Sequence, residues 1–163
     1  ATQLLGFALR KSMNQTISLY ASEKLWRPLG MEHNAEWSTD ELGMEKTFCC
    51  IHSTSRDFAK LGQLFLNDGK FGGQQIISSE FLNEMKTPTK LSKEAYGMGL
   101  WINNDAAIKH YYFWGLYGQY IIIVPEKNIV IVRTGMYKDQ PLDEKGRPKQ
   151  VEFLVREVAK MVN

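Results

Sequence analysis

Two short apolar runs late in the chain dominate its pattern. Gln119–Val124 holds Ile121, Ile122, Ile123 and Val124 in succession, and Ile129–Thr134 holds Ile129, Val130, Ile131 and Val132. Pro125-Glu126-Lys127-Asn128 separates them. Runs that are short, β-branched and bounded by turn residues predict strands rather than helix. Neither run alternates apolar with polar, so both faces of this hairpin are expected to be covered. Just before it, Phe113-Trp114-Gly115-Leu116-Tyr117-Gly118 reads as an aromatic bend. Its two glycines let the backbone turn or approach a ligand closely. Tyr96-Gly97-Met98-Gly99-Leu100-Trp101-Ile102 alternates large with small residues and predicts one more strand.

Helical spacing fills most of the remainder. Val151, Leu154, Val155, Val158, Ala159 and Val162 form one stripe of a C-terminal helix. That stripe needs an apolar partner, and one face of the Tyr96–Thr134 sheet is the obvious one. Ala1–Ser12 and Thr16–Trp26 predict two helices, with Leu4, Leu5 and Leu9 on one face of the first and Thr16 capping the second. Pro28 and Gly30 end the second. Ser53 or Thr54 caps a further helix whose buried stripe includes Phe58, Leu61, Leu64 and Phe65. Asn67-Asp68-Gly69 stops it, and Lys70–Gln75 predicts a glycine-rich turn or short hairpin. Ser78 or Ser79 opens a helix running to about Lys86. His33–Thr47 is polar and irregular, with Trp37 as its packing anchor, and Met136–Gln150 is a polar loop. The architecture expected is α+β: an antiparallel sheet with a C-terminal helix packed on it, and a helical N-terminal part.

Composition narrows the function classes. The 163 residues are 44% apolar and 23% charged, as in an ordinary globular domain. A net charge of +2 is too small to argue for nucleic acid or a membrane surface. No apolar run approaches the roughly 18 residues of a membrane span. Ala1 opens what already reads as mid-helix, so the chain is expected to begin inside a longer protein, and a missing targeting signal then says nothing about compartment. Cys49 and Cys50 are adjacent, and a disulfide is hard to close across one peptide bond, so they are expected to be two small buried thiols.

A search for catalytic residues yields little from spacing alone. His33, His52 and His110 fall in no metal-binding pattern such as HxxxH. GxSxG, a phosphate loop and SxxK are absent, and neither Ser12 nor Ser22 has a basic residue three positions on. Arg56 and Asp57 read as capping and surface charge. The residues by themselves point to an α+β domain with a ligand edge at Trp114–Gly118.

Longer stretches carry a resemblance. Lys24-Leu25-Trp26-Arg27-Pro28-Leu29-Gly30-Met31 is followed by Trp37-x-x-Asp40-x-x-Gly43. Then comes Thr54-Ser55-Arg56-Asp57-Phe58-Ala59-Lys60-Leu61-Gly62-Gln63-Leu64-Phe65-Leu66-Asn67-x-Gly69, and a late strand pair with Val124-Pro125-Glu126. As a set they resemble the β-lactamase-type serine hydrolases: class C β-lactamases, penicillin-binding esterases and DD-peptidases, and 6-aminohexanoate-oligomer hydrolases. Gly115-Leu116-Tyr117-Gly118-Gln119 is most similar to the 6-aminohexanoate and esterase branch.

The resemblance spans nearly all of the chain but only the C-terminal portion of the family's domain, with 1–95 mainly helical and 96–163 the sheet and its helix. It implies an acyl-enzyme route to an ester, amide or lactam carbonyl, with no metal or cofactor. The family's serine and lysine, in SxxK, and its Tyr-x-Asn or Tyr-x-Ser motif lie upstream of Ala1, so this chain is expected to be inactive alone. The third family motif, Lys-Thr-Gly or a variant, maps to Phe113-Trp114-Gly115. A phenylalanine there supplies no cation for a substrate carboxylate, which favours a neutral amide or ester. The resemblance assigns the Leu116 N–H to half of an oxyanion hole, and Trp114, Gly115 and Tyr117 to the substrate wall. The partner implied is a small ester, amide or lactam, and self-association is expected where the incomplete sheet leaves a face bare. A non-catalytic relative that binds cell-wall peptide or a protein is the alternative. The family is compatible with an exported or periplasmic setting, which the chain itself does not decide.

Overall fold

The first helical stretch forms α1 (Thr2–Met13) in the computed structural model, which describes residues 1–162. Asn14, in the left-handed region at φ 50°, ends it. Thr16 then caps α2 (Ile17–Ala21), its hydroxyl accepting the Leu19 N–H. The next turn, Ser22–Trp26, widens to π geometry before the Gly30 turn. Strands β1 (Glu36–Trp37) and β2 (Ile51–His52) pair antiparallel. Trp37 anchors the loop between them by donating its indole N–H to the Lys46 and Cys49 carbonyls at 3.1 and 3.0 Å. Gly6 is the buried residue of α1, and a Cβ there would meet Thr47 Oγ1 at 2.5 Å. Leu4, Leu5 and Leu9 do share a face, and it is exposed.

The expectation for the cysteines is overturned. Cys49 and Cys50 are joined to each other as a disulfide, and Cys49 is exposed. The bond is compatible with the backbone because Cys50 takes a left-handed φ of 73°.

Helix α3 (Ser55–Leu66) is capped by Thr54, whose hydroxyl accepts the Asp57 N–H at 3.1 Å and donates back to the Asp57 carboxylate at 2.9 Å. The described residues form two compact units, Ala1–Asp57 and the chain from Phe58 onward. In the second unit the glycine-rich stretch is the hairpin β3 (Lys70–Phe71) and β4 (Gln74–Gln75). Ser78 caps α4 (Ser79–Met85) by accepting the Phe81 N–H. The main sheet has strand order β5 (Trp101–Asn103), β6 (His110–Gly115), β7 (Gln119–Val124) and β8 (Ile129–Arg133), antiparallel throughout. Helix α5 (Lys149–Met161) closes the chain.

Both faces of the sheet are covered, as the unbroken isoleucine runs predict. Tyr112, Tyr120, Ile122 and Val124 pack on one side with Val151 and Val155 of α5. Ile102, Tyr111 and Ile123 pack on the other with Phe65 of α3 and Leu82 of α4. Burying each such aliphatic side chain contributes about 1.5–3 kcal/mol. The run Tyr96–Ile102 differs from expectation. Only its end is strand, because the Gly97 N–H bonds to the Leu100 carbonyl and folds Gly97–Leu100 into a turn, with Gly99 at φ 75°. The glycines that suggested close contact in a strand instead reverse the chain.

Candidate active site

The aromatic bend is the tip of the β6–β7 hairpin. Gly115 and Gln119 form the last pair of that ladder, which leaves Leu116, Tyr117 and Gly118 as the loop. Tyr117 and Gly118 both lie in the left-handed region, at φ 59° and 82°. Glycine adopts this region freely, whereas tyrosine does so at a cost, so the Tyr117 backbone must be held by its surroundings. Leu116 is 74% exposed, and among the described residues its N–H has no hydrogen-bond partner. Gly115 is tightly placed, since a Cβ there would lie 3.0 Å from that of Gln119.

The end of β8 and the residues after it hold the loop. The Tyr137 N–H donates to the Tyr117 carbonyl at 2.9 Å, and Arg133 Nη1 donates to the Gly118 carbonyl at 2.5 Å. The Gln119 side chain bonds twice to one residue, donating to the Gly135 carbonyl and accepting the Gly135 N–H at 3.1 Å. Gln140 joins the same network. It accepts the Trp114 indole N–H at 3.1 Å and donates to the Tyr137 carbonyl at 2.9 Å.

The strand leading to the tip has a bare edge. β5 pairs with β6 only at His110, Tyr111 and Tyr112, so on that side Phe113–Gly115 have no strand partner among the described residues. Side chains alternate along this segment. Phe113 turns into the core, edge-on to Phe65 with ring centres 5.0 Å apart. Trp114 faces the α5 side, 5.1 Å from the Trp101 ring, which in turn meets Tyr96 at 5.2 Å. Thus the four residues singled out in the sequence sit together at one hairpin end, but in different roles. Leu116 and Tyr117 are outward, Gly115 is a paired backbone position, and Trp114 is half-buried with its N–H already used. Gln119, Arg133 and Gln140 were not singled out. Gln119 follows directly on the glycine-flanked tip, but its partner lies sixteen residues further on, out of reach of a local reading.

Two titratable groups with shifted pKa values, His110 and Asp105, lie away from the tip. His110 is buried, and burial lowers its pKa despite the bond from Nδ1 to the Ile108 carbonyl. Asp105 is held far below the ordinary carboxylate range by the Arg147 and Lys145 side chains. No group of three or more His, Cys, Asp or Glu able to hold a metal is found among the described residues. A hollow of about 330 Å³ lined by Lys86, Asn104, Lys109 and Glu126, and another of about 630 Å³ beside Asn67 and Gly72, do not include the tip.

Comparison with known proteins decides the family. The beta-lactamase family model matches residues 1–149. The chain belongs to the beta-lactamase family. Its fold is that of solved beta-lactamase-family structures. One is a Bacillus anthracis protein with the provisional name 6-aminohexanoate-dimer hydrolase, with a TM-score of 0.74 and 26% identity, over 96% of this chain and 40% of that one. A Bacteroides dorei DSM 17855 protein provisionally named a beta-lactamase has a TM-score of 0.67 at 17% identity, over 97% and 56%. A Mycobacterium bovis beta-lactamase has 0.66 at 14%, over 97% and 62%. A search of curated proteins returns no match. This beta-lactamase-family chain therefore spans between 40% and 62% of the length of these structures.

Proposed function

We propose that this chain is the C-terminal portion of a serine hydrolase that opens an ester, amide or lactam carbonyl through an acyl-enzyme. The observation that carries the reading is the Leu116 N–H, which has no partner among the described residues and lies at a held hairpin tip beside the bare edge of β6. Attack on a carbonyl places negative charge on its oxygen, and fixed backbone N–H donors are the usual way to stabilise it. Leu116 supplies one donor, and the nucleophilic serine, contributed from outside the chain, supplies the other. Gly115 permits the backbone approach and Tyr117 flanks the acyl group. Trp114 supports the wall from behind, since its indole N–H is already given to Gln140. Phe113, at the first position of the third family motif, is turned into the core and offers no cation. The substrate favoured is accordingly a neutral amide or ester rather than a carboxylate-bearing lactam.

The test is made in the full-length enzyme. Leu116→Pro removes the N–H donor. It is expected to lower kcat by about a hundredfold or more while the fold survives. A folded variant with normal kcat overturns the assignment. For the 163-residue chain alone, we expect no serine-dependent turnover of a chromogenic ester or cephalosporin, because binding groups without an activated serine give little rate. Burst kinetics from the chain alone would contradict this.

A further inference from the structure

We infer that Gln119 is a positioning residue for the Leu116 N–H, with Arg133 as its second support; this rests on the oxyanion reading of Leu116. The β7–β8 ladder ends at Tyr120 and Arg133, after which the backbone leaves the sheet direction, with Gly135 at φ 149°. Past that point the Gln119 carboxamide takes over the pairing. It donates to the Gly135 carbonyl and accepts its N–H, the two-bond exchange that a strand residue would otherwise make. One position earlier, Arg133 reaches back from β8 and donates to the Gly118 carbonyl. Arg133 Nη1 stands 2.9 Å from where a Cβ on Gly118 would be, so the guanidinium fills the space left by the missing side chain.

These contacts bear on the residues that need support. Tyr117 occupies an unfavourable left-handed conformation, and both Tyr117 and Gly118 have their carbonyls engaged by the residues after β7. With the two carbonyls turned to Tyr137 and Arg133, the loop is fixed from one side. The Leu116 N–H, without a partner among the described residues, is left free to meet a ligand. A donor that must meet charge in a transition state works only if it does not have to reorganise, and a misplacement of about 1 Å can cost a hundredfold. Gln119 is well placed to prevent that, because it is the residue that closes the loop and its side chain bonds both backbone groups of Gly135, from another part of the chain.

The experiment has two arms. In the 163-residue chain, amide exchange and NMR relaxation at Leu116 and Tyr117 report the order of the tip without reference to catalysis. Gln119→Met should raise exchange and mobility there, with far smaller changes at Ile122 and Val155. Gln119→Glu provides an internal control. Its carboxyl reproduces both bonds only when protonated, so tip order should recover as the pH falls through about 4–5. In the full-length enzyme, Gln119→Met should lower kcat about tenfold or more with KM within about twofold, as expected when an interaction needed only in the transition state is lost. An unchanged tip in both variants overturns the positioning role. A loosened tip with normal kcat overturns the oxyanion reading on which the inference rests, and leaves Gln119 as a structural clamp alone.

Discussion

At Asp57 a carboxylate with no exposed surface holds two peptide groups of a neighbouring turn. It accepts the Glu32 N–H at 2.7 Å and the His33 N–H at 3.2 Å, besides the Thr54 hydroxyl. The expectation of capping was right for Thr54, but Asp57 is not surface charge. It is an internal acceptor that ties the Met31–His33 turn to the start of α3. Burial alone would raise its pKa, and the donors from Glu32, Thr54 and His33 more than reverse this, so the carboxyl sits below its ordinary value. A depressed folded pKa contributes stability that is complete above the unfolded value, about 3.9, and is lost as the pH falls through the folded one. Chemical denaturation should therefore show falling stability below about pH 4 that Asp57→Asn largely abolishes. Asp57→Ala takes the buried acceptor away from the Glu32 and His33 N–H groups and should cost about 1–3 kcal/mol at neutral pH. A loss under about 0.5 kcal/mol, in the range of ordinary surface changes, would exclude the hub role.

Among the elements, α3 and β8 meet at a contact with no spare room. A Cβ on Gly62 would stand 2.4 Å from Val130 Cγ1 and 3.0 Å from Ile121 Cγ2. Gly62→Ala in most helices would gain stability, because alanine is the better helix former by about 1 kcal/mol. Here the clash should win and destabilise the chain by about 1–3 kcal/mol. Val130→Ala should relieve it, so the double variant will be less destabilised than the sum of the two single changes in thermal melts. Strict additivity would show that the helix does not rest on that strand. This close approach was not legible in the sequence, where Gly62 reads as an ordinary interruption of a helical stripe. What was legible were features in which local chemistry and global packing agree. These were the β7–β8 isoleucines buried on both faces, the α5 valine stripe, and the caps at Thr16, Thr54 and Ser78. Tyr96–Ile102 misled because alternation of large and small residues also fits a turn when the small ones are glycine. His110–Trp114 gave no strand period, being aromatic at nearly every position on both faces. At the site, residue type located the hairpin tip, but the bonds from Gln119 and Arg133 that hold it depend on pairing across the sheet.

For the chain as a whole, the sheet has covered faces but an open side. The condition set for self-association, a bare apolar face, is not met in the unit from Phe58 onward, since α5 lies on one face and α3 with α4 on the other. β8 is an edge strand with Ile129–Val132 and neither proline nor lysine, and no other strand pairs with its outer side among the described residues. Such an edge is a template for pairing with another chain. Light scattering of the isolated chain should show a mass that rises with concentration, and Val132→Lys should suppress that rise. A constant monomer mass in the parent chain would mean that the β8 edge is protected. The chain spans 40% of the length of the Bacillus anthracis structure, and any further strand added at that edge would remove the template.

The Cys49–Cys50 bond has a thermodynamic consequence that its position alone dictates. A crosslink stabilises a fold by shrinking the ensemble of the unfolded chain, and the benefit grows with the number of residues enclosed in the loop. Here the sequence separation is one, so the ring encloses nothing beyond the two cysteines themselves. The unfolded chain is scarcely less free with the bond than without it. Whatever oxidation does for this protein is therefore confined to the shape of one exposed turn, and a reducing compartment and an oxidising one will find the rest of the fold equally secure.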